Sequence, residues 1–303
     1  MADPITVFDR HILKLRRDRA ASRASEFNFL FAETADRLAD RLEDTTRNFP
    51  HAVDLGCHSG ELAQILAASS RVETLHQADI SYRYAKAARD LNGRSSMVAD
   101  EEFLPFAEGS LDLILSNLSL HWVNDLPGML LQARRALKSD GLFLASMLGG
   151  ETLKDLREAL MTAEAEEEGG VSPRVSPFVD VKDAGALLQR SGFALPVVDA
   201  DDITIDYPDA LKLMRDLSGM GESNIVAKRS KKFTKRSTLA RAAAIYHERH
   251  GRDDGRVHAK FQVIYLTGWA PDESQPKPLR RGSGQVSLVD FLGDVPDKPE
   301  PKN

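Results

Sequence analysis

The sequence predicts an α/β fold with a mainly parallel sheet that holds a nucleoside at the carboxyl edge of its strands. Three observations predict it. A short apolar strand, Val53-Asp54-Leu55, runs directly into the turn Gly56-Cys57-His58-Ser59-Gly60 and then into a helix. Glycines in such a turn let the backbone approach a ligand closely. Asp79 closes the next strand, one strand–helix–strand repeat further on, where a carboxylate can accept hydrogen bonds from ribose hydroxyls. Strand and helix patterns then alternate through the middle of the chain. The dinucleotide fingerprint is absent, because Gly56 and Gly60 stand four apart with His58 between them. An S-adenosylmethionine site fits this spacing better than a NAD site.

Each element has its own signal. Residues 6–47 read as one or two amphipathic helices. The clearer covers 27–42, where Phe27, Leu30, Phe31, Thr34, Leu38 and Leu42 recur at helical spacing. Strands are expected near 51–55, 73–78, 95–98, 111–116 and 141–148, with helices near 60–68, 81–91, 125–137 and 151–167. Lys138-Ser139-Asp140-Gly141 reads as the turn between the third of these helices and a buried strand. The acidic run 164–168 reads as a solvated helix end. A helix over 183–191 and a half-exposed edge strand near 202–207 follow. Helices after Pro208 and over 237–249 lead to a last strand, 259–269, which alternates with a period of two. From Pro271 the composition turns to Pro, Gly, Ser and charge, which reads as an extended tail. The division expected is a helical cap at 1–47, an α/β domain at 48–270 and the tail at 271–303.

Bulk properties exclude some functions. The 303 residues carry a net charge of -6, which gives no general case for nucleic acid. The basic cluster Lys228, Arg229, Lys231, Lys232, Lys235 and Arg236 could face a polyanion, but it has little of the aromatic interleaving of such a site. Cys57 is the only cysteine, so no internal disulfide forms. No apolar run reaches membrane-spanning length. The basic start is interrupted by Asp3, Asp9 and Asp18, which counts against an import signal. A bacterial cytoplasmic protein is expected, with a peripheral position at the inner membrane as the alternative. His247, His250 and His258 invite a metal reading, but no acid stands at a characteristic spacing, and no metal is expected.

The chemistry is expected where four strand ends converge. Asp54, Gly56 and Gly60 would bring acid and backbone to the methionyl part of S-adenosyl-L-methionine. Asp79 would take the ribose, Asp100 the adenine, and Asn117-Leu118 the sulfonium end. A sulfonium is already a good leaving group, so methyl transfer needs alignment and exclusion of water more than covalent help. Where an acceptor must lose a proton, His121 is the candidate base; it equally reads as a structural histidine beside Trp122. Trp122 and Arg174 are candidate substrate contacts, Arg174 with loop-tying as the alternative role.

The pattern as a whole resembles class I S-adenosylmethionine-dependent methyltransferases. More specifically, the chain resembles the mitochondrial complex I assembly factor five family and its alphaproteobacterial relatives. The segments that carry this are Val7-Phe8-Asp9-Arg10, the stretches 47–50, 118–128, 148–153, 170–178 and 220–224, and Glu273-Ser274-Gln275-Pro276 with Arg281-Gly282-Ser283. Nearly the whole chain is covered. The resemblance implies a Rossmann-like, seven-stranded, mostly parallel sheet with an antiparallel last strand, and a helical insertion at about 208–250. It also implies cofactor contacts at Gly56, Gly60, Asp79, Asp100, Glu101, Asn117 and Leu118. His58 departs from the family pattern, standing where a central glycine is usual; its ring either crowds the cofactor or turns outward.

Three functions follow. The fold implies methyl transfer to a small molecule or protein. The closer resemblance implies hydroxylation of an arginine in an iron-sulfur subunit of respiratory complex I. The third is a non-catalytic scaffold that binds S-adenosylmethionine and an assembly partner.

Overall fold

The structure is a computed structural model, which describes residues 6–276. Two compact units divide after Pro271, and the first, Met1–Pro271, carries every element named below. Most of the segment read as a tail lies outside the described residues, as do its apolar residues Leu288, Val289, Phe291 and Leu292.

The helices α1 (Arg10–Ala20), α2 (Ala24–Phe27) and α3 (Phe29–Glu43) precede β1 (Phe49–Leu55) and α4 (Glu61–Ile65). Then come β2 (Val72–Asp79), α5 (Tyr82–Asn92), β3 (Ser96–Val98), β4 (Leu111–Asn117), α6 (Leu126–Ala136) and β5 (Leu137–Leu148). The second half runs α7 (Lys154–Glu168), α8 (Val181–Arg190), β6 (Ala194–Tyr207), α9 (Ala210–Met220), α10 (Arg236–His250) and β7 (Val257–Trp269). The seven strands lie in the order β3-β2-β1-β4-β5-β7-β6. Pairing is parallel from β3 to β5, and β7 runs antiparallel to both its neighbours. The order turns outward in both directions from β1 and β4, so their carboxyl ends form the crevice where such sheets bind ligands.

Both faces of the sheet are covered. One core joins β1, β4 and β5 to α3, α7 and α10; the other places Val53, Ile114 and Phe143 against α6 and α8. The stripe read on 27–42 is the buried face of α3, with Leu30, Phe31, Thr34, Leu38 and Leu42 all inside. The segment between β6 and β7, where an insertion was expected, supplies α9 and α10.

Two boundaries differ from expectation. The edge strand β6 begins at Ala194 rather than near 202, because Pro196 sits on an edge, where a missing N–H costs no ladder bond. Residues 138–141, read as a turn, belong to β5. The ladder pairs Leu111 with Leu137 and Leu113 with Leu142, so the extra residues bulge out, with Asp140 at φ +60°.

The N-terminal segment is fastened across the crevice. Asn124 Oδ1 accepts from Val7 N and Phe8 N at 2.8 Å each, and Phe8 bridges Val226 of the insertion. Asp9 caps α1 by accepting from Ile12 N at 3.1 Å. No described helix is long and apolar enough to cross a membrane.

Candidate active site

The turn after β1 is built around two glycines in the left-handed region, Gly56 at φ +71° and Gly60 at φ +93°. A Cβ on Gly56 would overlap the Ser119 hydroxyl, and one on Gly60 would stand 2.8 Å from Asn92 Nδ2. Gly56 N and Cys57 N donate to Ala78 O at 2.7 and 3.0 Å, which ties the turn to β2. Of the five described non-glycine residues in this conformation, two stand at these strand ends: His58 and Leu118, both at φ +47°. Such strain gathers where a site needs a particular backbone path.

The predicted acids do converge, and the structure shows what they meet. Arg17 is fully buried in α1, its guanidinium 3.3 Å from Asp79 Oδ2, 3.2 Å from Glu101 Oε1 and 2.9 Å from Ser119 Oγ. Arg10, two turns earlier on the same face, donates to Asp100 and Glu101 and to Trp122 O. Asp79 Oδ1 also accepts from Ser81 N at 2.7 Å. Burial and Glu101 push the Asp79 carboxyl up, against the pull of Arg17. Glu101 is equally buried, yet two guanidiniums hold it below the usual carboxylate range. Arg10 and Arg17 appear in the sequence as part of a basic stretch; their two-turn spacing is the signal that assigns them one face.

Asp54 stands apart. It is buried in β1 with neither carboxyl oxygen hydrogen-bonded, and burial, helped by Glu61 and Asp79, pushes it up to about 8. His58 turns inward. Its ring stacks on Phe31 at 4.0 Å between centroids, and Nε2 lies 3.2 Å from Asn117 O. Burial and nearby Arg17 hold it well below the ordinary histidine range, so it is neutral. The Asn117 side chain is committed to Phe31 O and Ser146 Oγ, and the backbone here is engaged as well: Leu118 O lies 3.4 Å from His58 Nε2, and Leu118 N donates to Ser146 O at 3.0 Å.

A cavity of about 420 Å³ lies beside this cluster, lined by Trp122, Leu148, Leu153, Leu156, Phe178 and Glu222 among others. Glu222 Oε2 accepts from Trp122 Nε1 at 2.9 Å and lies 2.9 Å from His121 Nε2; Oε1 is buried with no partner. Leu148 N approaches His121 Nδ1 at 3.5 Å, so both ring nitrogens are engaged. Arg174 lines the same cavity, but its guanidinium bonds Glu164 and Thr234 at 2.6 Å each. Glu222 was not singled out from the sequence, and its place comes from the insertion folding back over the sheet. A larger cavity of about 610 Å³, lined by residues of α1, α2 and α9, touches none of the predicted site residues.

With this geometry in place, a methyltransferase-domain family model matches residues 53–145. The chain is 46% identical over 291 residues to the mitochondrial arginine-hydroxylase NDUFAF5 of Danio rerio, covering 95% of this chain and 90% of that protein. The human protein of the same name is 46% identical over 294 residues, covering 96% and 84%. The chain belongs to the NDUFAF5 family. A malonyl-[acyl-carrier protein] O-methyltransferase of Laribacter hongkongensis is 32% identical over 301 residues, 95% of this chain and 97% of that one. Among solved structures, an S-adenosylmethionine-dependent methyltransferase of Thermotoga maritima superposes with a TM-score of 0.51 at 14% identity, covering 85% of this chain and 99% of that chain.

The fold is therefore the class I methyltransferase fold. Fold and relatives imply an enzyme that uses S-adenosyl-L-methionine and acts on a small molecule or protein. The residues fit that cofactor in two respects: the glycine cradle, and the unpartnered acid Asp54 for a cationic group. Asp79, Asp100 and Glu101 are engaged by Arg10 and Arg17. The expectation of a bacterial cytoplasmic protein is overturned, since the NDUFAF5 relatives are described as mitochondrial. The acids that argued against an import signal include Asp9, which caps α1, and Asp18, which accepts from Ser81 Oγ at 2.6 Å. They serve the fold and carry no address.

Proposed function

We propose that this chain hydroxylates an arginine side chain of a protein, as the name of its NDUFAF5 relatives describes. The observation that carries this reading is Glu222 Oε1, a carboxylate oxygen without a hydrogen-bond partner in the wall of a cavity that sets aromatic and aliphatic side chains beside polar and cationic ones. An arginine has the complementary form: an apolar stem and a planar cation that pairs with carboxylate. His121 and Trp122 fix Glu222 from behind, so His121 acts as a positioning residue for it. Trp122 and Phe178 flank the stem. By resemblance, the substrate is an iron-sulfur subunit of respiratory complex I, and the reaction serves its assembly.

Hydroxylation replaces a C–H bond by C–OH. With dioxygen and a two-electron reductant as co-substrates, one oxygen atom enters the arginine and the other leaves as water. Asp54, the turn from Gly56 to Gly60, Asp79, Asp100, Glu101 and the backbone of Asn117 and Leu118 would hold S-adenosyl-L-methionine, which supplies an electrophilic methyl group when bound. Methyl transfer to a carboxylate is the second reading. It is favoured by Arg16, Arg174, Arg229 and Lys232, which also line the cavity, and by the malonyl carrier-protein relative.

Calorimetric titration with an arginine-bearing peptide and its citrulline counterpart separates these readings. Citrulline keeps the shape and loses the charge. The arginine peptide should bind at least tenfold tighter, about 1.4 kcal/mol, and Glu222→Gln should erase the difference. Equal binding of both peptides by the natural protein would sink the proposal.

A further inference from the structure

We propose that Asp155, His250 and His258 form a binding site for one divalent transition-metal ion, which clamps the cover of the cavity to the sheet. The three side chains come from three elements: Asp155 from the first turn of α7, His250 from the end of α10 and His258 from the start of β7. One donor atom from each lies within 4.8 Å of the other two. His250 Nδ1 is 3.6 Å from Asp155 Oδ2, and His258 Nε2 is 4.0 Å from the same oxygen. Both separations are too long for hydrogen bonds. They are close to what a metal imposes, since ligands about 2.1 Å from one ion stand roughly 3.0–3.4 Å apart. Small side-chain rotations supply the difference.

Other observations point the same way. His250 Nε2 is buried with no hydrogen-bond partner, so this imidazole is unsatisfied as it stands. An open cavity of about 420 Å³ borders His250 and His258, leaving room for water to complete the coordination. The one arginine at this cavity with a short ion pair, Arg252, is occupied by Asp206 at 2.7 Å. Two imidazoles and one carboxylate suit zinc, cobalt, nickel and ferrous iron better than magnesium or calcium. Spacing along the chain hid the group, because its acid lies far upstream of the histidines, and the sequence reading that expected no metal looked for an acid nearby.

The position explains what the ion would do. α7 gives Leu156 and Leu160 to the wall of the Glu222 cavity, Leu153 stands just before it, and α10 gives Leu239. His250 stands roughly 16 Å beyond Leu239 along α10, at about 1.5 Å per residue. The ion would therefore tie the far end of α10 to the first turn of α7, through three residues that do not themselves line the Glu222 cavity. The proposal does not depend on the hydroxylase reading.

The test is titration of metal-stripped, full-length protein with Co²⁺, followed by visible absorption and by thermal unfolding. One Co²⁺ per chain should bind, with a rise in unfolding temperature of several degrees, about 2–8 °C for a stabilisation of this kind. His258→Ala and His250→Ala should each weaken binding at least tenfold, while the melting temperature of the metal-free variants stays near that of the metal-free natural chain. His247→Ala, an exposed histidine on the same helix, should bind as the natural chain does. Absence of stoichiometric binding by the natural chain overturns the proposal. So does binding that His250→Ala and His258→Ala leave unchanged.

Discussion

At Asp54 burial outweighs ionisation, and the consequence is measurable. Its carboxyl titrates at about 8 in the folded chain, pushed up by burial and by Glu61 and Asp79, against about 3.9 when unfolded. Between these values the unfolded chain loses a proton that the folded chain keeps, so this group lowers stability as pH rises from about 4 to about 8. Below that window it contributes no penalty. Asp54→Asn removes the titration, so chemical denaturation should find the variant better off relative to the natural protein at pH 8 than at pH 5. The difference should be on the order of a few kcal/mol. An equal effect at both pH values would mean that Asp54 is ionised in the fold. Gly56→Ala should destabilise by roughly 2–4 kcal/mol in the same assay, because the new methyl meets Ser119 in a left-handed backbone. Gly56, Gly60 and Asp79 were legible in the sequence because a turn and a strand end are local features. The inward turn of His58 was not, since Phe31, which stacks on it, comes from α3. Glu222 was hidden for the same reason.

At the scale of elements, α1 is the part that must respond to the cofactor. Its guanidiniums hold the acids proposed to bind the nucleoside: Arg17 on Asp79 and Glu101, Arg10 on Asp100 and Glu101. Saturation with S-adenosylmethionine should therefore speed amide hydrogen exchange in α1, while β1 and β4 stay protected. Unchanged exchange in α1 on binding would show that the nucleoside leaves these pairs intact. Arg17→Met strands two buried carboxylates and should cost roughly 3–5 kcal/mol of stability, read from the denaturation midpoint. Most strands and helices were legible because their periodicities are strong and their ends carry Gly, Pro or Asp. The early start of β6 was not, because Pro196 reads as a strand breaker until the strand is known to lie at the edge. That α1 crosses the crevice is a tertiary fact, and only the spacing of Arg10 and Arg17 hinted at it.

For the whole molecule, the sheet order brings three separate parts of the chain to one crevice. The turn after β1 supplies the cradle, α1 supplies cations, and the insertion supplies Glu222. The alternation of elements made the α/β class legible, whereas the reversed β7 followed from the resemblance and was then observed. The compartment could not be read from acids that turned out to cap and brace helices. Fold leaves the reaction open, so the decisive observable is the product. Mass spectrometry of an arginine-bearing iron-sulfur subunit, co-produced with the natural chain or with Glu222→Gln, tests the central claim most directly. The account predicts an arginine heavier by one oxygen atom with the natural chain, and a loss of that product of at least a hundredfold with the variant, about 2.7 kcal/mol. A methylated product, or an unmodified arginine with both, would contradict it.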